Sequence, residues 1–342
     1  MNVAVVGATG AVGETIVQVL RERKIPVERL GLFASRPRNG VQETSAEALE
    51  DYDTVFFAGS DEASSEFVPP ILERGGVVID NSSAYRMRAD IPLVVPEINA
   101  SAILPEHRLF PVGNCTAIIL CVALAPVRDA AGLKSVNVAT YQAVSGAGRA
   151  AIDEFDAGEG PFVRNVVPQI GEFGGDGYSG EETKVRDETR KILDLPNLPL
   201  YATTVRVPVR TAHSEAVFFE TERDTTIEEL SAALKRARGV VFHSEGIVTA
   251  REVEGTDEVH VARLRSAGDD KRHFQMWVVG DQLRKGAATN AVQILELLLA
   301  RGMIPAALDS LRSFARPSSF DYARQGRATQ DDIRSGRHNI PP

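Results

Sequence analysis

Two residue types in this chain combine into a candidate reaction centre: a thiol at a helix start and a histidine beside an arginine. Cys115 follows Gly113-Asn114 and opens an almost unbroken apolar run to Ala125. Asn114 is a favoured N-cap residue, so the spacing predicts a helix that begins at the thiol. Pro126 predicts a stop or kink. A thiol in the first helical turn faces unpaired N–H groups and the positive end of the helix dipole, which favour the thiolate. A buried structural cysteine fits the same local residues, so the groups elsewhere in the chain must decide.

Arg206 lies in the β-branched segment Thr204-Val205-Arg206-Val207, where a charge is costly to bury unless paired. Its planar fork of donors suits a substrate carboxylate. His213 follows seven residues later, at the start of the next strand. An imidazole can serve as acid and base within one cycle. His107, His243, His260, His273 and His338 have no such companion and read as ordinary surface or core residues. Gln142 carries a donor and an acceptor that could orient a polar substrate, although a sheet-face glutamine fits equally. Glu181 and Lys184 are three apart and share a helix face, which also fits a solvated ion pair. Arg86 lies just past a strand end, where it could hold phosphate or form a surface ion pair. No His, Cys and carboxylate grouping suggests a metal, and two cysteines make neither a disulfide framework nor a Cys-rich metal site.

These groups need elements to position them. Val3-Ala4-Val5-Val6 reads as a buried parallel strand, followed by the turn Gly7-Ala8-Thr9-Gly10-Ala11-Val12-Gly13 and an amphipathic helix from Glu14 to about Arg23. Such a turn lets a pyrophosphate approach the backbone at the helix start, making Gly7, Thr9, Gly10, Ala11, Val12 and Gly13 candidate cofactor contacts. The spacing is G-x-x-G-x-x-G rather than G-x-G-x-x-G. The second strand, 30–34, ends at Ser35-Arg36 with no acidic residue for a ribose 2′-OH. Those two side chains suit a 2′-phosphate, so NADP is the expected cofactor. Strands at 53–59, 76–80 and 94–99 (the last with a turn), and a helix at 64–74 broken near Pro69-Pro70, extend the pattern. The expected fold class is α/β, with a doubly wound, Rossmann-like parallel sheet.

Beyond Cys115 the alternation thins. Strands at 136–144, 204–207, 213–217, 259–264 and 274–279, with a helix at 225–238 capped by Thr226, predict an α+β domain with a mostly antiparallel sheet. The Gly- and Pro-rich loop 156–180 reads as a cover or subunit contact. Arg284 to Asn290 leads into an apolar helix ending near Ala300. The expected division is a cofactor domain at 1–114, a second domain at 115–285, and a polar, surface-draped or flexible tail at 303–342.

Composition, with 43% hydrophobic and 25% charged residues, is ordinary for a soluble globular protein. The 342 residues suggest two domains. The net charge of −9 argues against nucleic-acid or anionic-membrane partners. Apolar runs of about ten residues are too short to span a bilayer. The N-terminus lacks the basic region of a signal peptide. A reducing, cytoplasmic location is expected.

Several motifs occur together and in order: Gly-Ala-Thr-Gly-Ala-Val-Gly at 7–13, Ala-Ser-Arg at 34–36, Asn-Ser-Ser-Ala-Tyr-Arg at 81–86, Val-Pro-Glu-Ile-Asn at 95–99 and Asn-Cys-Thr at 114–116. With Tyr-Gln-Ala-Val-Ser-Gly-Ala-Gly at 141–148 and Glu-Glu-x-Lys at 181–184, the chain resembles the aspartate-β-semialdehyde dehydrogenase family. One departure stands out: the family carries Asn-Pro-Asn-Cys where this chain has Val112-Gly113-Asn114-Cys115.

The resemblance implies reversible, NADPH-dependent conversion of L-4-aspartyl phosphate to L-aspartate 4-semialdehyde through a thioester on Cys115. That step belongs to lysine, threonine, methionine and isoleucine biosynthesis. By resemblance, His213 moves the proton, Gln142 contacts substrate, Arg206 holds the α-carboxylate and Glu181 (or Glu182) the α-amino group. Arg86 and Lys184 hold phosphate with Asn114 nearby, while Ser145, Gly146 and Asn290 approach the nicotinamide. Backbone N–H groups at the helix start would hold the oxyanion of each tetrahedral intermediate. The resemblance also implies that helix 286–302 completes the cofactor domain and that 115–285 is the catalytic and dimerisation domain, in a homodimer or homotetramer, with no metal required. Alternatives are a neighbouring acyl-phosphate reductase, such as one for N-acetyl-glutamyl phosphate, and a non-catalytic NADP-binding homologue.

Overall fold

β1 (Asn2–Val6) is buried along almost its whole length, as a central parallel strand must be. The computed structural model describes residues 1–37, 40–268 and 270–304, so the tail expected at 303–342 lies from residue 305 onward outside the described residues. The glycine turn leads into α1 (Ala11–Glu22), which starts three residues earlier than expected because extended Gly10 takes the N-cap position. β2 (Arg29–Ala34), β3 (Gln42–Glu43), β4 (Thr54–Phe57), α2 (Asp61–Glu73), β5 (Val77–Asp80), α3 (Pro96–Asn99) and β6 (Leu109–Pro111) follow. All strand pairs are parallel, in the order β3-β2-β1-β4-β5-β6. This doubly wound order reverses between β1 and β4, where ligands of such sheets bind. Phe33, Tyr52, Phe57, Val68 and Ile71 lie in the hydrophobic core beside it.

Two local expectations fail here. α2 continues through Pro69 and Pro70, because Ser60 caps its start and Val68 and Ile71 anchor it in the core. Residues 94–99 form no strand; Pro96 opens the short helix α3, where its missing N–H costs nothing.

α4 (Cys115–Ala131) is buried on nearly every side and runs through Pro126 to a C-cap at Gly132. Packing against neighbours on several sides outweighs the proline's local cost of about 3 kcal/mol. β7 (Ser135–Gln142), α5 (Arg149–Asp156), α6 (Gly180–Leu193), β8 (Leu200–Arg206), β9 (His213–Glu220), α7 (Ile227–Arg236), β10 (Val240–Phe242), α8 (Ala250–Val253), β11 (Val259–Ser266) and β12 (His273–Gly280) form the second layer system. Its sheet order is β10-β11-β12-β9-β7-β8, antiparallel in the middle and parallel at both edges. α4, α6 and α7 pack on this sheet, and Tyr141, Tyr201 and Phe218 on its strands are exposed. A π-helix (Arg284–Ala288) packs against α1 and α4 and continues into α9 (Thr289–Ala300), which returns to α1 and β5. Among the described residues no helix is long and apolar enough to cross a membrane.

Candidate active site

Asn114 caps α4: its Oδ1 accepts from the N–H groups of Thr116 and Ala117 at 3.0 and 3.2 Å. The helix therefore begins at Cys115, whose Sγ lies 3.6 Å from His213 Nε2. The same cap narrows an expectation. With Thr116 and Ala117 already bonded, Cys115 carries the one first-turn N–H without an acceptor among the described residues, so an oxyanion at the thiol meets one helix amide rather than several. The π-helix closes on the thiol from another side: a Cβ on Gly286 would sit 2.8 Å from Cys115 Cβ. π-turns are frequent at functional sites.

The thiol itself departs from the sequence argument. Burial and then the Glu181 carboxylate push Cys115 up to about 12, against the lowering influence of Arg206, the Thr116 hydroxyl and Arg86. Desolvation of a full negative charge outweighs the partial charge of the helix end. The resting thiol is protonated.

His213 opens β9 and is fully buried. Its Nδ1 accepts from the Ala143 N–H at 3.1 Å, and its Nε2 also lies 3.5 Å from Gln142 Nε2. Burial, then the nearby Arg206 charge, hold it well below its ordinary value, so the ring is neutral. A neutral ring that accepts at Nδ1 carries its proton on Nε2, facing Sγ. The preceding residue, Ala212, has a left-handed φ of +68°, and its N–H donates to Gln282 Oε1 at 2.9 Å.

Strand register assembles the next groups. Gln142 and Arg206 are cross-strand partners on β7 and β8. Gln142 Nε2 and Asn114 Nδ2 both donate to Glu181 Oε1, at 2.9 and 3.0 Å. Glu182 is turned elsewhere: it closes the capping box with Ser179 and accepts from Thr204 N–H at 3.1 Å. Glu181 is thus the carboxylate that shares the thiol's surroundings. Arg206 donates to the Ala143 carbonyl at 2.6 Å, with its guanidinium 5.9 Å from the Phe162 ring centre and no salt bridge among the described residues. Gly146 sits against both cationic and imidazole groups, since a Cβ there would lie 2.8 Å from Arg206 NH1 and 3.2 Å from His213 Cε1. Ser145 Oγ accepts from Gln282 Nε2. The loop after α5 also reaches this corner, where Val167 pairs with Arg206 through two backbone bonds.

A cation, Arg86, is tied to the same turn through Glu188. Asp80 organises the loop after β5 by accepting from the Ser82 and Ser64 hydroxyls at 2.7 and 3.0 Å. That loop ends in Arg86, which donates to Glu188 Oε1 at 3.1 Å and to the Asn81 carbonyl at 2.7 Å. Its buried Nε has no acceptor among the described residues. Lys184 is half-buried and has no salt bridge among the described residues; burial pushes the Asp61 carboxyl up, but the Ser83 hydroxyl and N–H, followed by the Lys184 and Arg86 charges, bring it below its ordinary value. Asn114 retains one amide N–H beyond its bond to Glu181. Glu188 and Gly286 did not emerge from the sequence. Glu188 had a signal, since it falls seven residues after Glu181 on the same helix face.

At the first sheet, Gly7 has a φ of +80°, and a Cβ there would lie 2.6 Å from the Ala58 carbonyl oxygen at the β4 end. A Cβ on Gly13 would strike the Gly7 carbonyl oxygen. The turn through Thr9 and Gly10 into Ala11 and Val12 is thereby held tight at the topological switch point, as a pyrophosphate cradle requires. Ser35 and Arg36 are exposed just past β2. Asn290 is fully buried, its Nδ2 donating to the Val94 carbonyl and its Oδ1 accepting from Lys285. Among the described residues no group of three His, Cys or acidic side chains could hold a metal ion.

Comparison with known proteins agrees with this geometry. Residues 2–105 match the model of the semialdehyde dehydrogenase NAD binding domain, and residues 124–285 that of the semialdehyde dehydrogenase dimerisation domain. The aspartate-semialdehyde dehydrogenase of Aquifex aeolicus is 41% identical over 337 residues, covering 89% of this chain and 99% of that protein. The chain belongs to the aspartate-semialdehyde dehydrogenase family. The Bacillus subtilis family member is 37% identical, with 87% and 97% covered. The crystal structure of aspartate semialdehyde dehydrogenase II from Vibrio cholerae, complexed with ASA, superposes with a TM-score of 0.82 at 39% identity, covering 87% of this chain and 98% of that one. The family's oxidoreductase fold is the two-sheet architecture described above.

Proposed function

We propose that this protein interconverts L-4-aspartyl phosphate and L-aspartate 4-semialdehyde with NADP(H), in biosynthesis of lysine, threonine, methionine and isoleucine. The observation that carries this reading is the 3.6 Å approach of Cys115 Sγ to His213 Nε2, between a carboxylate-and-amine side and a phosphate side. Arg206, buried and without a salt bridge among the described residues, presents its guanidinium to an α-carboxylate, and Glu181, held by Gln142 and Asn114, presents a carboxylate to an α-ammonium group. Arg86 and Lys184 take the phosphate.

NADP fits the chain's own residues: the close approaches at Gly7 and Gly13 leave a backbone cradle for the pyrophosphate, and Ser35 with Arg36 suit the 2′-phosphate. When bound, it supplies hydride acceptance or donation. Ser145 and Gly146 would approach its nicotinamide, whereas Asn290, expected to do so as well, is fully buried with its amide bonded to Val94 and Lys285 and would instead hold α9 in place.

In the degradative direction the Cys115 S–H proton passes to His213 Nε2, Sγ bonds to the aldehyde carbon as the C=O π bond opens, and the resulting oxygen anion is met by the Cys115 N–H and by the Nε2–H that His213 has gained. Once the carbon reaches the thioester level, inorganic phosphate attacks it, the C–S bond breaks, and the acyl phosphate leaves with the thiolate regenerated. Splitting the reaction through a covalent intermediate replaces one difficult step with two easier ones. For His213 to accept the thiol proton at Nε2, its own proton must sit on Nδ1, which leaves the buried Ala143 N–H without its acceptor at a cost of about 1–3 kcal/mol.

Residues 1–114 with helix 286–302 act as the cofactor domain and residues 115–285 as the catalytic and dimerisation domain. The sheet face bearing Tyr141, Tyr201 and Phe218, with Trp277 5.4 Å from Tyr141, is what a second copy covers; a tetramer of such dimers is the further assembly. The working location is the cytoplasm. The test is steady-state NADP reduction with L-aspartate 4-semialdehyde, which should require inorganic phosphate and exceed that with N-acetyl-glutamate semialdehyde by about 100-fold in kcat/KM. Equal rates, or a preference for the acetylated aldehyde, would overturn the assignment.

A further inference from the structure

Glu188 lies on α6 at 1% exposure and divides its carboxylate between two separate elements. Oε1 accepts from Arg86 NH1 at 3.1 Å, and Oε2 accepts from the backbone N–H of Asn114. A buried carboxylate persists only where its lone pairs are met. Neither bond serves α6 itself, whose first turn is closed by Ser179 and Glu182.

The Asn114 bond matters because the turn before the thiol contains no proline here. The Val112 N–H is fixed to the Asp80 carbonyl at 2.7 Å, and a Cβ on Gly113 would come within 3.5 Å of Glu188 Oε2 and 3.2 Å of Ile118. Between Asp80 and α4, Glu188 thus holds the backbone that presents Cys115. Asp80 also anchors the loop that carries Arg86. The two structures meeting at Glu188 share both ends.

We propose that Glu188 is a positioning residue that ties Arg86 to the Asn114 turn, so that phosphate binding and presentation of the Cys115 thiol are set together. This rests on the reading of Arg86 as a phosphate ligand. A phosphate that engages Arg86 orders Glu188 and, through Oε2, the Asn114 amide.

The test is kinetic. Glu188→Gln offers one acceptor in place of two and must abandon either Arg86 or Asn114. It should raise the phosphate KM about tenfold and alter the iodoacetamide alkylation rate of Cys115 several-fold, while the aldehyde KM stays within about twofold. Glu188→Asp, charged but too short to reach both partners, should shift them in the same sense and by less. A purely structural role would lower Tm and leave both KM values unchanged, which would overturn the proposal. Arg86→Lys separates the two readings. An unchanged phosphate KM in Arg86→Lys removes the phosphate reading of Arg86. A raised value there with an unchanged one in Glu188→Gln removes the coupling alone. Should the Glu188 variants fail to fold, hydrogen exchange in the wild-type protein decides: inorganic phosphate should slow exchange of the Asn114 amide, and unchanged exchange would contradict the coupling.

Discussion

The backbone N–H of Ala143 donates to Nδ1 of His213 at 3.1 Å, which fixes the imidazole proton on the nitrogen that faces Cys115. The pair at rest is a neutral thiol beside a neutral imidazole, because burial raises the first and lowers the second. A preformed thiolate–imidazolium pair would need a proton on Nδ1, opposite the Ala143 amide.

That arrangement sets the pH dependence of the thiol. A raised thiol value means that the thiolate fraction is small at neutrality and grows with pH. Alkylation of Cys115 by iodoacetamide, in protein without cofactor, should rise about tenfold per pH unit from about pH 7 to about pH 10. A rate already flat above about pH 6.5 would show a preformed ion pair instead.

Gly286 is the contact through which the π-helix reaches the thiol. Gly286→Ala would bring a Cβ to 2.8 Å from Cys115 Cβ and 3.1 Å from its Cα. Displacing the nucleophile should lower kcat about 100-fold while NADP binding persists. Wild-type kcat in this variant would mean that the contact yields without moving Sγ.

Arg36 is exposed at the end of β2, with no acidic neighbour at Ala34 or Ser35. Arg36→Ala should raise the KM for NADP by about tenfold or more, the loss of a charge-assisted hydrogen bond, and leave that for NAD unchanged. Equal changes for both cofactors would take Arg36 away from the 2′-phosphate.

Much of the site was readable because its groups announce themselves by type and strand period. Gln142, Arg206 and His213 fall at strand ends where alternation turns them to one side, and Asn114 signals the helix that starts at Cys115. Their charge states were not readable. The helix-end argument for a thiolate at Cys115 holds for an exposed thiol, whereas desolvation depends on α6, β9 and the π-helix closing around it. Glu188 and Gly286 escaped notice for the same reason, since their partners are far away in sequence. The prolines of α2 and α4 misled because a local penalty was judged without the tertiary packing that overrides it. Val94-Val95 looked like a strand on β-branching alone, yet no strand among the described residues pairs with it.

Glu215 gives a stability prediction. It follows His213 by two on β9, is fully buried, and neither carboxyl oxygen has a hydrogen-bond partner among the described residues. Burial raises it well above its ordinary value. The folded chain therefore holds a proton that the unfolded chain releases near about pH 4.3, and stability falls by about 1.4 kcal/mol per pH unit above that point until the folded carboxyl ionises. Glu215→Met should flatten this slope, so that its advantage in urea unfolding grows between about pH 5 and about pH 8. Parallel pH profiles for the two proteins would contradict a protonated Glu215.

The central claim, that Cys115 carries the acyl group, is tested most directly by mixing the protein with NADP and L-aspartate 4-semialdehyde in the absence of phosphate. The expected result is a burst of about one NADPH per active site, with the acyl mass on the peptide containing Cys115 and both lost in Cys115→Ala. Tight NADP binding with no burst and no acylated Cys115 would contradict it.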